Sequence, residues 1–246
     1  MPRVVKPVLV LAAAAAAWLG PLNRAEANFF VRLSTAGAAN VDLNVSGTSG
    51  SINNITIGAF TIDTLSLSSN LPGTSFGNAS ESSLTVKLNR ALNAGESPIL
   101  RVDFYSFPFT SPGANGSQMD VTGALTYLDT GPPTAGTTRY QAFAGNNPSA
   151  TPPAVDVTTN TVSLSAPGAL NNNDVLFNRN SSTFMLGGTL NYDFTGKSVG
   201  AVMTTTASVT ANLVNAVPAP PSAVMLLTGL PLAGLLVYRR FRMALV

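Results

Sequence analysis

Carboxylates are the only groups in this chain suited to acid–base chemistry near neutral pH. The 246 residues include no Cys and no His. Ser-His-Asp and Cys-His mechanisms therefore lack their base. Zinc sites of the usual Cys/His kinds are excluded, and no disulfide framework exists. Between residues 28 and 216 the acids are Asp42, Asp63, Glu81, Glu96, Asp103, Asp120, Asp129, Asp156, Asp174 and Asp193. A glycosidase needs two of them converging on one cleft. Asp42, Asp103, Asp156 and Asp193 each stand between apolar neighbours, so in a strand they point to a solvated face. That is the ordinary place for a carboxylate. No catalytic residue, no cofactor and no enzyme activity is expected.

Two further patterns could bind rather than react. "NNND" (Asn171 to Asp174) and "LDTG" (Leu128 to Gly131) are oxygen-rich, and calcium takes six to eight oxygens. Neither has the dense Asp spacing of a dedicated calcium loop, and Asn-rich stretches are more often turns. No metal ligand is assigned. "DFYSFPF" packs Phe104, Tyr105, Phe107 and Phe109 together. An exposed aromatic strip could hold sugar rings. The competing reading, in which Phe104 is core and the others close the end of the fold, is favoured.

The elements that must carry these groups are strands. "SLTVKLN" sets Leu84, Val86 and Leu88 on one face, "ILRVDF" sets Leu100, Val102 and Phe104 together, and "TLNYDF" does so for Leu190, Tyr192 and Phe194. From Val199 to Leu213 one phase holds Ala201, Met203, Thr205, Ala207, Val209 and Ala211, as in a long strand or a bent pair. Such alternation argues half-buried strands, and the Thr and Val content agrees. Turn signals such as "SGTSGS", "NLPGTS", "LNAGES" and "SAPGALNNN" punctuate the runs. The expected fold is an antiparallel β-sandwich over residues 28–216, with a jelly-roll arrangement among the possible strand orders. Residues 131–153, rich in Pro and Gly, are expected to be a long loop.

Charge separates the ends from this body. Residues 28–216 hold seven Lys/Arg against ten Asp/Glu, while the whole chain is +2. The basic character therefore belongs to the ends, and a nucleic-acid partner is not expected. At the start, Arg3 and Lys6 precede an apolar run from Val8 to Leu19, broken by Gly20-Pro21. Ala25 and Ala27 supply the small residues of a cleavage site. Residues 1–27 thus read as a secretory signal peptide. It would be handled by the Sec translocon and signal peptidase, leaving a mature chain from Asn28. At the other end, Ala223 to Tyr238 carries no charge and precedes Arg239, Arg240 and Arg242. As a helix it would be about 24 Å long, enough to span with its Tyr and Arg at the interface. Arginines after the segment place the C-terminus in the cytoplasm and the body outside.

The tail, residues 217–246, resembles a PEP-CTERM sorting signal. Val217-Pro218-Ala219-Pro220 matches the Pro-Glu-Pro element, with Ala219 in place of the usual Glu, and Arg239, Arg240 and Arg242 match the basic end. The resemblance covers the last thirty residues. It implies a partner, the exosortase, a membrane cysteine transpeptidase that cleaves near the motif. The prolines suit this, since they hold the chain extended outside the membrane. The chain is then an exosortase substrate, anchored in the inner membrane and released to the cell surface or extracellular matrix. By the same resemblance it is a non-enzymatic protein associated with exopolysaccharide or biofilm. The alternatives are a permanently anchored carbohydrate- or calcium-binding adhesion module, and a secreted hydrolase using a carboxylate pair.

Overall fold

The structure is a computed structural model; it describes residues 28–71, 76–113, 116–128, 136–147, 155–171 and 174–214. Ala25 and Ala27, read above as a cleavage site, lie outside the described residues, as do Val217 to Pro220, Arg239, Arg240 and Arg242, read above as a sorting tail. Among the described residues there are strands and no helix, and hence no helix long and apolar enough to cross a membrane.

The described residues form fourteen strands: β1 (Asn28–Ser34), β2 (Val41–Ser46), β3 (Ser49–Ile57), β4 (Phe60–Ser69), β5 (Phe76–Leu88), β6 (Ile99–Phe109), β7 (Gln118–Leu128), β8 (Thr137–Gly145), β9 (Val157–Thr158), β10 (Val162–Leu164), β11 (Gly168–Asn171), β12 (Val175–Asn178), β13 (Phe184–Asp193) and β14 (Val202–Leu213). They form two antiparallel sheets. The front sheet runs β10-β8-β13-β6-β1-β2, with β9 beside β8. The back sheet runs β11-β7-β14-β5-β4-β3, with β12 beside β7. Strands β3, β4 and β5 are successive neighbours in the back sheet, whereas β5 to β8 alternate between the sheets, so the core is assembled from distant parts of the chain.

The alternating runs behave as their spacing requires. Leu84, Val86 and Leu88 of β5, Leu100, Val102 and Phe104 of β6, and Leu190 and Tyr192 of β13 all face the interior. The long phase before residue 214 is a single strand, β14, whose Met203, Thr205, Ala207, Val209 and Ala211 are buried. Its flanks differ from the simple pattern: Val199 precedes the strand and is exposed, and Leu213 at the end is exposed as well. Removing one of the large fully buried rings, such as Phe104, would cost about 3–5 kcal/mol.

The expectation of one long loop over 131–153 is corrected. Strand β8 crosses that range, because Tyr140, Ala142 and Ala144 alternate inward. The Pro and Gly clusters lie on both sides of it rather than throughout. Tyr140 also ties the sheets together, its hydroxyl donating to the Ser208 carbonyl at 2.8 Å.

Candidate functional site

The front sheet has a chemically structured outer face, and strand register builds it. The residues alternating with the core positions form rows across five strands. One row reads Phe143, Gly187, Tyr105, Phe30 and Asn44, from β8 through β13, β6 and β1 to β2. The next reads Gln141, Thr189, Asp103, Arg32 and Asp42. The third holds Arg139, Asn191, Arg101 and Ser34. Rows on one face lie about 7 Å apart along the strands, and neighbours within a row about 5 Å apart.

The first row is aromatic. Phe30 and Tyr105 are 5.0 Å apart between ring centroids, and Phe107 stacks on Tyr105 at 5.8 Å. With Phe143 and Met185 they form a hydrophobic cluster separate from the main core. These rings are well covered, and Tyr105 is only 2 % exposed. The "DFYSFPF" segment therefore divides between both readings. Phe104 and Phe109 are core, whereas Tyr105 and Phe107 belong to the outer face. An openly exposed strip is not what forms; Phe30, Tyr105 and Phe143 line a cleft. Gly187 makes room for them. A Cβ there would stand 2.3 Å from the Phe104 carbonyl oxygen, 2.5 Å from Tyr105 Cβ and 2.6 Å from Phe143 Cζ.

The second row is polar and interlocked. Asp103 accepts from Arg101 Nε and Nη2 at 2.9 Å each and from the Thr189 hydroxyl at 2.6 Å. Arg32 donates to both oxygens of Asp42 at 2.7 Å, and its guanidinium lies 5.7 Å over the Phe30 ring. That hydrogen bond raises the Arg32 pKa and lowers that of Asp42. The pair is solvent-accessible, so it fixes geometry more than it stabilises. Gln141 donates to the Thr159 carbonyl at 2.8 Å, holding the segment that borders the site.

Between these rows lies a cavity of about 170 Å³, bounded by Phe30, Tyr105 and Phe143, by Arg32, Arg101, Asp103, Gln141 and Thr189, and by Val155 and Thr158 from the bordering segment. An apolar cavity of about 150 Å³ accepts one benzene ring, so this one is matched to a single ring-sized group. Aromatic faces beside a planar set of donors and acceptors can hold a ring with hydroxyl substituents.

The back sheet presents a different outer face, of short hydroxyl side chains. Ser49, Ser68, Ser80 and Ser208 form one row, and Thr64, Thr85 and Thr204 another. Ser68 and Ser80 hydroxyls meet at 2.7 Å, and those of Thr85 and Thr204 at 3.0 Å. A depression of about 340 Å³ lies among Ser80, Ser82, Thr126, Thr206 and Ser208. It is shallow and lacks aromatic side chains.

Of the sequence-derived candidates, Asp103 lines the front cleft, and Asp42 stands two strands away with Arg32 between them. Asp129 lies outside the described residues. Asp174 of the "NNND" stretch accepts from the Thr122 hydroxyl at 2.8 Å and neighbours Asp120. Burial first, and the Asp174 charge second, raise the Asp120 pKa. These two carboxylates do converge, but no group of three or more metal-ligating acids forms among the described residues.

Two residues escaped sequence reasoning. Glu81, whose surroundings in the sequence give it no face, is 1 % exposed. One bulge of β5, at Ser82, follows it, seen against both neighbours as register shifts between Thr205 and Ala207 of β14 and between Ser66 and Leu67 of β4. It switches the inward phase of β5, so Ala79 and Glu81 face the core before Ser82, and Leu84 and Val86 after it. Burial pushes the Glu81 carboxyl well above its usual range, against weaker opposing bonds from Thr205 and the Ala207 backbone. Arg179 is 3 % exposed and gives its donors to backbone carbonyls of Thr110, Pro112, Gly113, Ser181 and Ser182. Its guanidinium stacks 5.2 Å over Phe184. Burial lowers its pKa. A lone Arg between "FN" and "NSS" gives no sequence cue to that role.

No family model matches the chain, and no curated protein is similar to it in sequence. Among solved structures, it is similar to the CBM22-1–GH10 modules of Clostridium thermocellum endo-1,4-beta-D-xylanase 10B complexed with xylohexaose, with 11 % identity over 63 % of this chain and a TM-score of 0.28. The chain spans only 26 % of that structure. It is also similar to the infectious bursal disease virus VP2 subviral particle, with 10 % identity, 78 % of this chain, 57 % of that chain and a TM-score of 0.27. A third likeness is to carbohydrate-binding modules of the β-sandwich superfamily, with 10 % identity, 73 % of this chain, 82 % of that one and a TM-score of 0.21. Likeness at this level says nothing of ligand or activity.

Proposed function

We propose that the body is a non-enzymatic glycan-binding β-sandwich of an exported, surface- or matrix-associated protein. The observation that carries this reading is the front-sheet cleft. It is ring-sized, walled by Phe30, Tyr105 and Phe143, and edged by Asp103, Thr189, Gln141 and two guanidinium groups. Aromatic faces recognise the C–H faces of a sugar, and a carboxylate with spare lone pairs accepts its hydroxyls. Export and exosortase sorting complete the proposal, and rest on the two ends of the sequence. A body released into exopolysaccharide has use for a glycan site.

Affinity gel electrophoresis of the full chain against a panel of soluble polysaccharides tests the binding claim. Retardation by at least one glycan, lost in Tyr105→Ala, is expected. Unretarded migration in every gel would sink it. Intact mass and cell fractionation test the sorting claim. A form from Asn28 to near Val217 outside the inner membrane is expected, whereas a form keeping Arg239 to Val246 would make the tail a permanent anchor.

A further inference from the structure

We infer that the ligand of the front cleft is an acidic glycan, its ring seated against the aromatic row and its carboxylate taken up between Arg101 and Arg139. This rests on the glycan-binding reading of the cleft and adds the charge of the ligand.

Three guanidinium groups stand on this face, on three different strands. Arg32 is matched by Asp42 at 2.7 Å, and Arg101 by Asp103 at 2.9 Å. Arg139 is exposed and makes no ion pair among the described residues. Register places it with the others: Asn191 pairs with Arg139 on one side and Arg101 on the other. Two strand spacings, about 10 Å, separate the two arginine backbones. The short neutral side chain between them leaves the space over Asn191 to the two long cationic ones.

The acids nearby are already engaged. Asp103 is held by Arg101 and by the Thr189 hydroxyl, so it serves as an acceptor for sugar hydroxyls rather than as an uncompensated anion. Asp193, one row beyond Arg139, takes the backbone N–H and hydroxyl of Thr195 through Oδ1. Across β8, β13, β6, β1 and β2, the two rows of Arg139 and Gln141 carry three guanidinium groups and two carboxylates, which leaves Arg139 as the surplus charge. A neutral sugar can take only hydroxyl hydrogen bonds from an unmatched guanidinium. A carboxylate gains more, because guanidinium offers it paired, charge-assisted donors. Gln141, Thr189 and Asp103 lie one row, about 7 Å, from Asn191. A ring can therefore occupy the cleft while its carboxylate reaches the arginines.

The test titrates the full chain in mild detergent with polygalacturonate and alginate, and with the methyl ester of each. Esterification keeps the sugar rings and removes the charge. At least one acid polymer should bind about tenfold or more tightly than its ester, the usual return of a charge-assisted contact. Arg139→Gln should cost the acid form about tenfold. Arg90→Gln, at an ion pair with Glu96 away from the cleft, should leave the preference intact. Raising the salt should narrow the gap. Equal affinity for acid and ester forms overturns the inference, as does an undiminished preference in Arg139→Gln. Binding of neutral glucans without the acid polymers also overturns it and leaves the glycan reading standing. Failure to bind any glycan overturns that reading itself.

Discussion

Gly187 lies directly opposite Tyr105 in the β13–β6 register, and a Cβ at 187 would come within 2.5 Å of Tyr105 Cβ. The aromatic row of the front face exists as a cleft because one position in it has no side chain. Gly187→Ala should therefore push against Tyr105, Phe143 and the Phe104 carbonyl together. The cost should be about 1–3 kcal/mol, as for other overpacked sites. Glycan affinity should fall in the same variant. Thermal melting and a binding titration on one preparation check both. An Ala variant that melts and binds like the parent would show that the row relaxes freely.

Glu81 makes stability depend on pH in an unusual direction. Its folded-state pKa is raised by burial above the unfolded value. Stability from this group is therefore complete below the unfolded pKa and is lost as pH rises toward the folded one. The parent should melt at a higher temperature near pH 5 than near pH 8. Glu81→Gln keeps the shape without the charge, and should flatten that slope. Melting curves across pH check this; parallel slopes in the two proteins would remove Glu81 as the cause.

Arg179 binds two loops through carbonyls alone. Arg179→Ala would leave five backbone acceptors without these donors, at a cost of at least about 3 kcal/mol. Arg179→Lys should recover only part, since a point charge cannot reproduce the planar fork. Denaturant unfolding of the three proteins measures the order expected: parent, then Lys, then Ala.

The Arg32–Asp42 pair should behave differently, although its geometry is good. Both partners are solvent-accessible, so Asp42→Ala should change stability by less than about 1 kcal/mol. A larger loss in the same unfolding assay would mean that the pair braces edge strand β2.

The sandwich was legible because alternation is a direct consequence of one face being buried. Leu84, Val102 and Leu190 could be assigned inward from their neighbours alone. The cleft was not legible, for a reason of register. Phe30 sits in "NFFVRL", Tyr105 in "DFYSFPF" and Phe143 in "YQAFAG". Each looks like one more core residue. They share a row only because β1, β6, β13 and β8 align as they do, and no local pattern encodes that alignment. The burial of Glu81 is not legible for a related reason. A bulge at Ser82 shifts the phase of β5 by one residue, and in "ASESSL" no large apolar side chain stands before Leu84 to reveal it. Asp42 and Asp103 were correctly set on the outer face, but alternation could not show that Asp103 alone borders a cavity.

The measurement that bears most directly on the central claim is a calorimetric titration of the full chain and its Asp103→Ala variant with one glycan that retards the protein. Asp103 is held at the rim of the cleft, outside the core, so the variant should melt within a few degrees of the parent. The account predicts a saturable heat for the parent and at least a tenfold weaker affinity for the variant, the loss expected of a charged hydrogen-bonding group. Indistinguishable binding isotherms from the two folded proteins would place the ligand elsewhere and contradict the account.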